Sequence, residues 1–302
     1  MSYFKKVFSS LRENMQNADK VLGMNRRNLS YIYPSNQRKY FQYTNNKLLT
    51  KKTLKESGIT VPETFMSVSY FYELQKLESN LRKYSSFVIK PSSGSGGNGI
   101  VVISEYKNKK WFSINGKEYN FDDIQKHIAD IIFGVYSFGL NDTAIVEERI
   151  IQNEQIDILS PLGLADIRVI NYKGSNVKAM LRIATKNSNG RANLHQGGIG
   201  VSINMNNGKT DFAQIDRDDI SHHPDSNIEL LNVQIPHWEE ILTLCEKCMT
   251  TIPMEYLGID VAISKNGPLI LEVNARPGIE IQNISHNGMI ETLSDIDKKS
   301  SL

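Results

Sequence analysis

Residues 87–103 read FVIKPSSGSGGNGIVVI, with four glycines, at 94, 96, 97 and 99, inside six residues. A loop this rich in glycine lets backbone N–H groups approach a negative charge, most often phosphate. FVIKP is short, apolar and β-branched, which predicts a buried strand, and GIVVI predicts a second. The segment is therefore a strand bearing Lys90, a glycine flap and a returning strand. A long hairpin that binds nothing is the alternative reading.

Three phosphate-binding devices share parts of this pattern. Gly94, Gly96 and Gly99 match G-x-G-x-x-G, Val101 extends the match to the kinase form, and Gly94 and Gly99 have the outer spacing of a P-loop. A dinucleotide fold needs a helix straight after the glycines, but IVVI follows. A P-loop needs Gly-Lys-Ser/Thr, but Ile100 and Val101 stand there. A kinase needs its lysine on the next strand, then H-R-D and D-F-G; Asp211-Phe212-Ala213 is only a fragment. Here the lysine precedes the loop. A flap of this kind can fold over a nucleotide's phosphates, with Lys90 as a point charge.

Outward from the flap, residues 46–57 have helical spacing and Gly58 offers a C-cap. Residues 70–84 predict a second amphipathic helix. Asn115-Gly116 predicts a hairpin within 111–119. Residues 121–133 predict a helix with Ile124, Ile128 and Ile131 inward, and AIVEERI (144–150) a strand. Strands and turns follow in DIRVINYKGSNVKAMLRIAT, then the polar loop KNSNGRANLHQGG, then IGVSINM. A helix begins near Pro236 and runs to about Thr251. GIDVAIS, the turn KNG and LILEVNARPG close the pattern. The fold class is α+β, antiparallel strands with helices packed on one side.

The chain has 302 residues, 40% hydrophobic, enough for a sizeable core in one large domain or two to three small ones. A formal net charge of +2 with 23% charged residues implies neither nucleic-acid coating nor an acidic scaffold. There is no apolar run of about 18 residues, so no membrane span is expected. The polar amphipathic start, MSYFKKVFSSLRENMQ, lacks the apolar core of a secretory signal. Cys245 and Cys248, in LCEKCM, read as reduced thiols on a helix, since no second pair or histidine nearby supports zinc. A cytoplasmic location is expected.

The carboxylates near the end bear most on chemistry. Glu272 and Asn274 are i and i+2 on a strand and share a face. Antiparallel pairing through the turn at 265–268 would bring Asp260 to that face. Two carboxylates and an amide oxygen are hard ligands of the kind magnesium takes when phosphates and waters complete its octahedron, and Glu272 could bridge two ions. The alternative is a solvated strand face, but Glu272 and Asn274 interrupt an otherwise apolar strand. In AIVEERI, backbone groups of Glu148 and Ile150 could read an adenine and Glu147 its amino group; exposed glutamates at a strand end are the alternative.

Lys90-Pro91 with the flap, VEE-x-I, and D…E-V-N-x-R-P-G together resemble the ATP-grasp superfamily over roughly residues 45–285. DIRV (166–169), RANLHQGG (191–198), MNRRN (24–28) and NNKLLTK (45–51) resemble its α-L-glutamate ligase-like proteins and ribosomal-protein glutamate ligases, and the group is similar to ATP-grasp proteins associated with sugar-transfer clusters. The resemblance implies an ATP-grasp fold. A short N-terminal helical segment (1–45) would precede a first subdomain with the flap (46–145) and a second with the metal site (146–302), the two subdomains gripping ATP. It implies a carboxylate phosphorylated by ATP to an acylphosphate, attack by an amine, and release of ADP and phosphate. Cofactors would be ATP and two Mg2+ ions, with Mn2+ able to substitute. Lys47, Lys90, Ser95, Gly96, Gly97, Gly99, Glu147, Glu148 and Ile150 would hold ATP, and Asp260, Glu272 and Asn274 magnesium. Arg168, Arg182, Arg191, Asn193, His195 and Arg276 would line the phosphoryl-transfer and acceptor region. For the arginines, surface salt bridges are the plain alternative; Arg26 and Arg27 fit acceptor binding or a solvated face.

Two departures stand out. The usual Asp-Lys before the first helix is Asn46-Lys47, and only about 45 residues precede the lysine, so the acceptor site is expected to be built differently or by another subunit. The expected substrates are a small-molecule, peptide or polysaccharide carboxylate and an amine such as an amino acid, with no nucleic acid; a homo-oligomer is compatible. A phosphotransferase and a non-catalytic nucleotide-binding protein are the competing functions.

Overall fold

The computed structural model describes residues 19–94 and 96–300. The chain divides into two compact units, Gln42–Ile151 and a second made of Met1–Phe41 with Gln152–Leu302. These units divide the chain at other places than the expected 1–45, 46–145 and 146–302: residues 19–41 group with the second unit, and 42–45 with Gln42–Ile151. The amphipathic start and Ser95 lie outside the described residues.

Unit Gln42–Ile151 is a six-stranded sheet with helices. Its strands are β1 (Thr64–Val68), β2 (Phe87–Pro91), β3 (Val101–Lys107), β4 (Lys110–Ser113), β5 (Glu118–Tyr119) and β6 (Ala144–Glu147), in the order β1-β6-β2-β3-β4-β5, and every pairing is antiparallel. Helix α1 spans Lys47–Glu56 and α2 Phe121–Ile132. Asn120 caps α2 in a capping box with Asp123, which meets N–H groups that the first turn cannot satisfy itself. Ile124, Ile128 and Ile131 then fall on one face and are buried with Phe87, Ile89, Ile103 and Trp111. Burying each such side chain contributes about 1.5–3 kcal/mol.

Two expectations need correction here. The helix over 70–84 is a 3-10 stretch, Phe71–Lys76, running into a short helix, Leu77–Leu81. Glu73 bends back to accept from the backbone N–H groups of Ser69 and Tyr70, at 2.8 and 2.9 Å. The strand over 144–150 stops at Glu147.

The second unit carries a seven-stranded antiparallel sheet: β7 (Asp166–Tyr172), β8 (Ser175–Ile183), β9 (Ile199–Ile203), β10 (Thr210–Ile215), β11 (Asp218–Ile220), β12 (Tyr256–Ser264) and β13 (Gly267–Asn274), in the order β11-β10-β9-β8-β7-β12-β13. After residue 151 its helices are α3 (Glu154–Leu159), α4 (Trp238–Thr251), α5 (Ile281–Ile284) and α6 (Ile290–Ser300), and its N-terminal part is helical over Met24–Arg26, Arg27–Ile32 and Tyr33–Ser35. On one face Ile170, Tyr172, Met180 and Tyr256 pack with Leu22, Tyr31 and Ile32 of the N-terminal segment and with Ile281, Ile284 and Leu293. Helix α4 packs on β7, β8, β12 and β13, burying Trp238, Ile241, Cys245 and Cys248. Both cysteines are reduced and helical, as read from the sequence, and burial pushes the Cys248 thiol up to about 12, so it is inert at neutral pH. The side chain of Asn36 ties the N-terminal segment down. Its amide donates to the carbonyls of Tyr256 and Ala275, and its oxygen accepts from Glu255 and Tyr256 N–H.

On β8, Lys178 is buried, with Nζ donating to Ser285 Oγ and the Asn287 carbonyl, both at 2.6 Å. Burial lowers its pKa from 10.5 to about 8, although Asp211 pulls the other way. Between those values the unfolded chain holds the proton and the folded chain has released it, so stability should rise with pH across that window. Urea unfolding of the wild type and of Lys178→Met at neutral and alkaline pH should show that gain in the wild type alone. An equal pH slope in both would assign the titration elsewhere.

Candidate functional site

The flap and its lysines belong to unit Gln42–Ile151. Phe87 and Ile89 face the core, so strand alternation turns Lys90 to the other face of β2. Val88 pairs with Glu147 in register, which sets Lys90 diagonally across from that carboxylate. Lys90 Nζ lies 2.6 Å from Glu147 Oε1, and Lys51 Nζ lies 2.6 Å from Oε2. Burial alone would raise the Glu147 pKa, but Lys90 and Lys51 hold it below the usual carboxylate range. The Lys51 pKa is lowered by burial, against the pull of Glu147.

In this structure both Glu147 oxygens are engaged by lysines, so Glu147 is a buried, paired carboxylate and not the exposed strand-end glutamate weighed from the sequence. Glu148 is the exposed glutamate of the pair, and its backbone N–H donates to the Glu63 carbonyl at 2.8 Å, which commits one of the groups expected to read adenine. Ile150 is half-buried just beyond β6. Lys51 was missed in the sequence, although it sits one helical turn beyond Lys47, where i and i+4 share a face.

The flap is pinned at both roots. Ser92 N–H donates to the Thr143 carbonyl, and Ser93 N–H to the Asp142 carboxylate at 3.1 Å. Asp142 also accepts from the Thr143 N–H and the Ser137 hydroxyl. Lys47 Nζ donates to the Gly94 carbonyl at 2.5 Å. Asn46, where the resemblance led one to expect aspartate, caps α1 through Leu49 N–H and accepts the Ser92 hydroxyl at 3.1 Å. At the far root, His127 Nε2 meets the Gly99 carbonyl at 2.9 Å, and a Cβ on Gly99 would lie 2.7 Å from the Tyr136 ring. Gly96, Gly97 and Gly99 all have positive φ, 65°, 75° and 76°, a region other residues enter at a cost. Sequence reading found the glycines but not Asp142, His127 or Tyr136, which are distant in the chain.

In the second unit the polar half of one sheet face is a network of acids and arginines. Pairing sets Asp260 opposite both Arg168 and Glu272, Asp166 opposite Arg182, and Gly258 opposite Asn274. The face expected for Asp260, Glu272 and Asn274 is thus present. Arg168 grips Asp260 bidentately, Nε to Oδ1 at 2.7 Å and Nη2 to Oδ2 at 2.6 Å. Arg182 Nη2 lies 2.9 Å from Asp260 Oδ2, and its Nε donates to Asp166 Oδ1 at 2.6 Å. Asn274 turns its amide N–H toward Asp260 Oδ2 at 3.3 Å, so its amide oxygen points away from that carboxylate.

Burial would raise the Asp260 pKa, but Arg168 and Arg182 hold it low. For Asp166 burial prevails over Arg182 and lifts the pKa to about 6. Arg168 and Arg182 are therefore largely buried, paired guanidiniums rather than the surface salt bridges weighed from the sequence. Asp166, missed in the sequence, is signalled by strand alternation, two residues before Arg168.

The other expected residues have different partners. Arg191 donates to Gln196 Oε1 at 3.2 Å. Asn193 caps a 3-10 turn, Leu194–Gln196, by accepting the His195 N–H. The exposed His195 ring is 3.6 Å from Glu280 Oε1. Arg276 is exposed and lies over the Phe41 ring, 5.0 Å from its centroid. Arg27 is buried, donating to the Pro277 carbonyl at 2.7 Å, so it anchors the turn after β13 and is not a solvated face. Gly258 lets that turn approach, since a Cβ there would lie 2.5 Å from Pro277.

Among the described residues no three acids, histidines or cysteines gather as a metal-binding group. The candidate set is two carboxylates and an amide oxygen, which suits magnesium only if phosphate and water oxygens supply the remaining positions. No helix among the described residues is long and apolar enough to cross a membrane.

These two sheets, with the flap on one and the acid–arginine face on the other, occur in a chain whose residues 26–298 match the family described as sugar-transfer associated ATP-grasp. The chain belongs to that family. It is similar to a probable alpha-L-glutamate ligase of Histophilus somni, 25% identical over 257 residues, covering 85% of this chain and 61% of the relative. A probable alpha-L-glutamate ligase of Haemophilus influenzae is 24% identical over 262 residues, covering 87% and 63%. The chain thus spans under two thirds of the length of these relatives. Among solved structures, D-alanyl-alanine synthetase A from Vibrio cholerae aligns with a TM-score of 0.50 at 15% identity, covering 85% of this chain and 64% of that one. That likeness bears on the fold, which is α+β ATP-grasp.

Proposed function

We propose that the protein is an ATP-dependent carboxylate–amine ligase that forms an amide bond through an acylphosphate. The observation that carries this reading is the buried Arg168–Asp260–Arg182–Asp166 network beside Glu272 and Asn274, in a chain of this family. In the reaction a carboxylate oxygen of the substrate attacks the γ-phosphorus of ATP, the bond to the β-phosphate oxygen breaks, and ADP leaves. The amine nitrogen then attacks the acyl carbon, loses a proton, and phosphate departs.

Such a transfer needs positioning and charge neutralisation more than covalent help. Lys90 and Lys51 share one carboxylate, Glu147, which leaves a net positive charge suited to phosphate oxygens. The glycines of the flap allow its backbone to approach those oxygens closely. Glu272, Asn274 and Asp260 would hold magnesium, which when bound neutralises phosphate charge and fixes its geometry. The Asp260 charge is already balanced by Arg168 and Arg182, so the charge facing the ion would come mainly from Glu272. Arg191, His195 and Arg276 are assigned to the acceptor region, where an exposed guanidinium can clamp a carboxylate. The relatives' name makes glutamate the first amine to try.

The test pairs nucleotide analysis with hydroxylamine trapping across a panel of carboxylates, with the amine withheld. ADP with phosphate and a hydroxamate are expected. A stable phosphoester without hydroxamate would make the protein a phosphotransferase, and AMP as the direct product would remove the acylphosphate altogether.

A further inference from the structure

Unit Gln42–Ile151 carries an apolar surface that the proposed chemistry does not use. Tyr70, Phe71 and Tyr72 are 62–67% exposed, and Phe133, Val135, Phe138 and Leu140 are 64%, 63%, 94% and 71% exposed. The two segments meet through Phe71 and Phe133, whose ring centroids are 6.4 Å apart, while Tyr70 and Tyr72 stack at 5.7 Å. The second segment is a closed loop: Gly139 N–H donates to the Gly134 carbonyl, and a Cβ on Gly134 would lie 2.3 Å from the Leu140 carbonyl oxygen. Its shape is therefore built by the backbone, and it holds Phe138 outward at φ 55°, a conformation uncommon for a bulky residue.

We propose that this surface docks a second copy of the chain. An aromatic side chain presents about 150–250 Å2, so these exposures uncover on the order of 700–900 Å2 of apolar surface. The largest apolar patch of a typical monomer is about 300–600 Å2, and a standard interface takes about 800 Å2 from each partner. Charge decides the occupant. Residues 133–141 carry no charged side chain, and Glu73, directly after Tyr72, spends its carboxylate on Ser69 and Tyr70 N–H. A two-fold contact sets a patch against itself, which an uncharged apolar face satisfies and a charged one does not. Tyrosine and phenylalanine with few charges is also the composition of interface centres.

The loop reaches the glycine flap as well. Tyr136 packs against Gly99, and Ser137 bonds to Asp142, which holds the Ser93 N–H. Docking on this surface would therefore steady both roots of the flap. The proposal does not depend on the ligase reading.

Sedimentation velocity over a concentration series tests it on the full chain. The wild type should dimerise, and Phe138→Asp should raise the dissociation constant by at least about 30-fold, as loss of an interface anchor does. Aspartate tolerates positive φ better than phenylalanine, so the fold should survive, checked by circular dichroism. Tyr72→Asp, on the other segment, carries the same test if it does not. A monomeric wild type, a dimer indifferent to the substitutions, or a monomer that cosediments with phosphatidylcholine vesicles would each overturn the proposal, the last in favour of a lipid surface.

Discussion

Replacing Arg182 by methionine should lower the unfolding free energy by about 3–5 kcal/mol, the usual cost of removing one partner from a buried ion pair. Arg182 bonds to both Asp166 and Asp260, and its side chain is 12% exposed. Asp260 would keep Arg168, but Asp166 would lose the guanidinium that opposes its burial. The folded-state pKa of Asp166 is already raised to about 6, and the substitution would raise it further. A raised carboxyl pKa means that the folded protein takes up the proton first, so the penalty is relieved as pH falls through that value. The variant's deficit should therefore be larger near pH 8 than near about pH 5, measured by urea unfolding. A pH-independent loss below about 1 kcal/mol, as for an exposed salt bridge, would contradict the buried network.

Glu272→Gln is expected to leave the fold intact and to lower turnover by at least about 100-fold, the scale seen when a charge-stabilising group is removed from an active site. Glutamine keeps the shape and hydrogen-bonding reach of the side chain but removes its charge. Glu272 stands across from Asp260 at a half-buried position, so packing should change little. The loss should appear in product formation with magnesium saturating, while the melting temperature stays close to the wild type. Full activity would remove Glu272 from the proposed magnesium set.

The parts of the fold legible in the sequence were those with strong apolar patterning. Strands β2, β3, β12 and β13, the hairpin at Asn115-Gly116 and helices α1, α2 and α4 lie where periodicity and turn residues put them. Strands β1, β10 and β11 were not read. β1 and β11 are sheet edges and β10 is next to one; β11 buries nothing, β1 buries only Val68, and β10 buries Thr210 and Ala213, three residues apart. None of the three shows the period-two burial that makes a strand legible. The break in the helix over 70–84 comes from Glu73 capping backward, a local contact that periodicity overlooks. Of the candidate site, the face shared by Asp260, Glu272 and Asn274 followed from strand geometry alone. That Arg168 and Arg182 spend their charge on Asp260 and Asp166 depends on the order of β8, β7 and β12, which no single segment encodes. Lys51 on Glu147 likewise needs a helix placed against a strand.

The most direct measurement is the melting temperature with and without ATP or ADP and magnesium. In the proposed reading, Lys90, Lys51 and the flap serve to hold the phosphates of a magnesium nucleotide. Ligand at a hundredfold its dissociation constant adds about 2.7 kcal/mol of stability, so a clear rise is expected with the adenine nucleotides, smaller with GTP and reduced in Lys90→Ala. No shift with any magnesium nucleotide at saturating concentration would contradict the account.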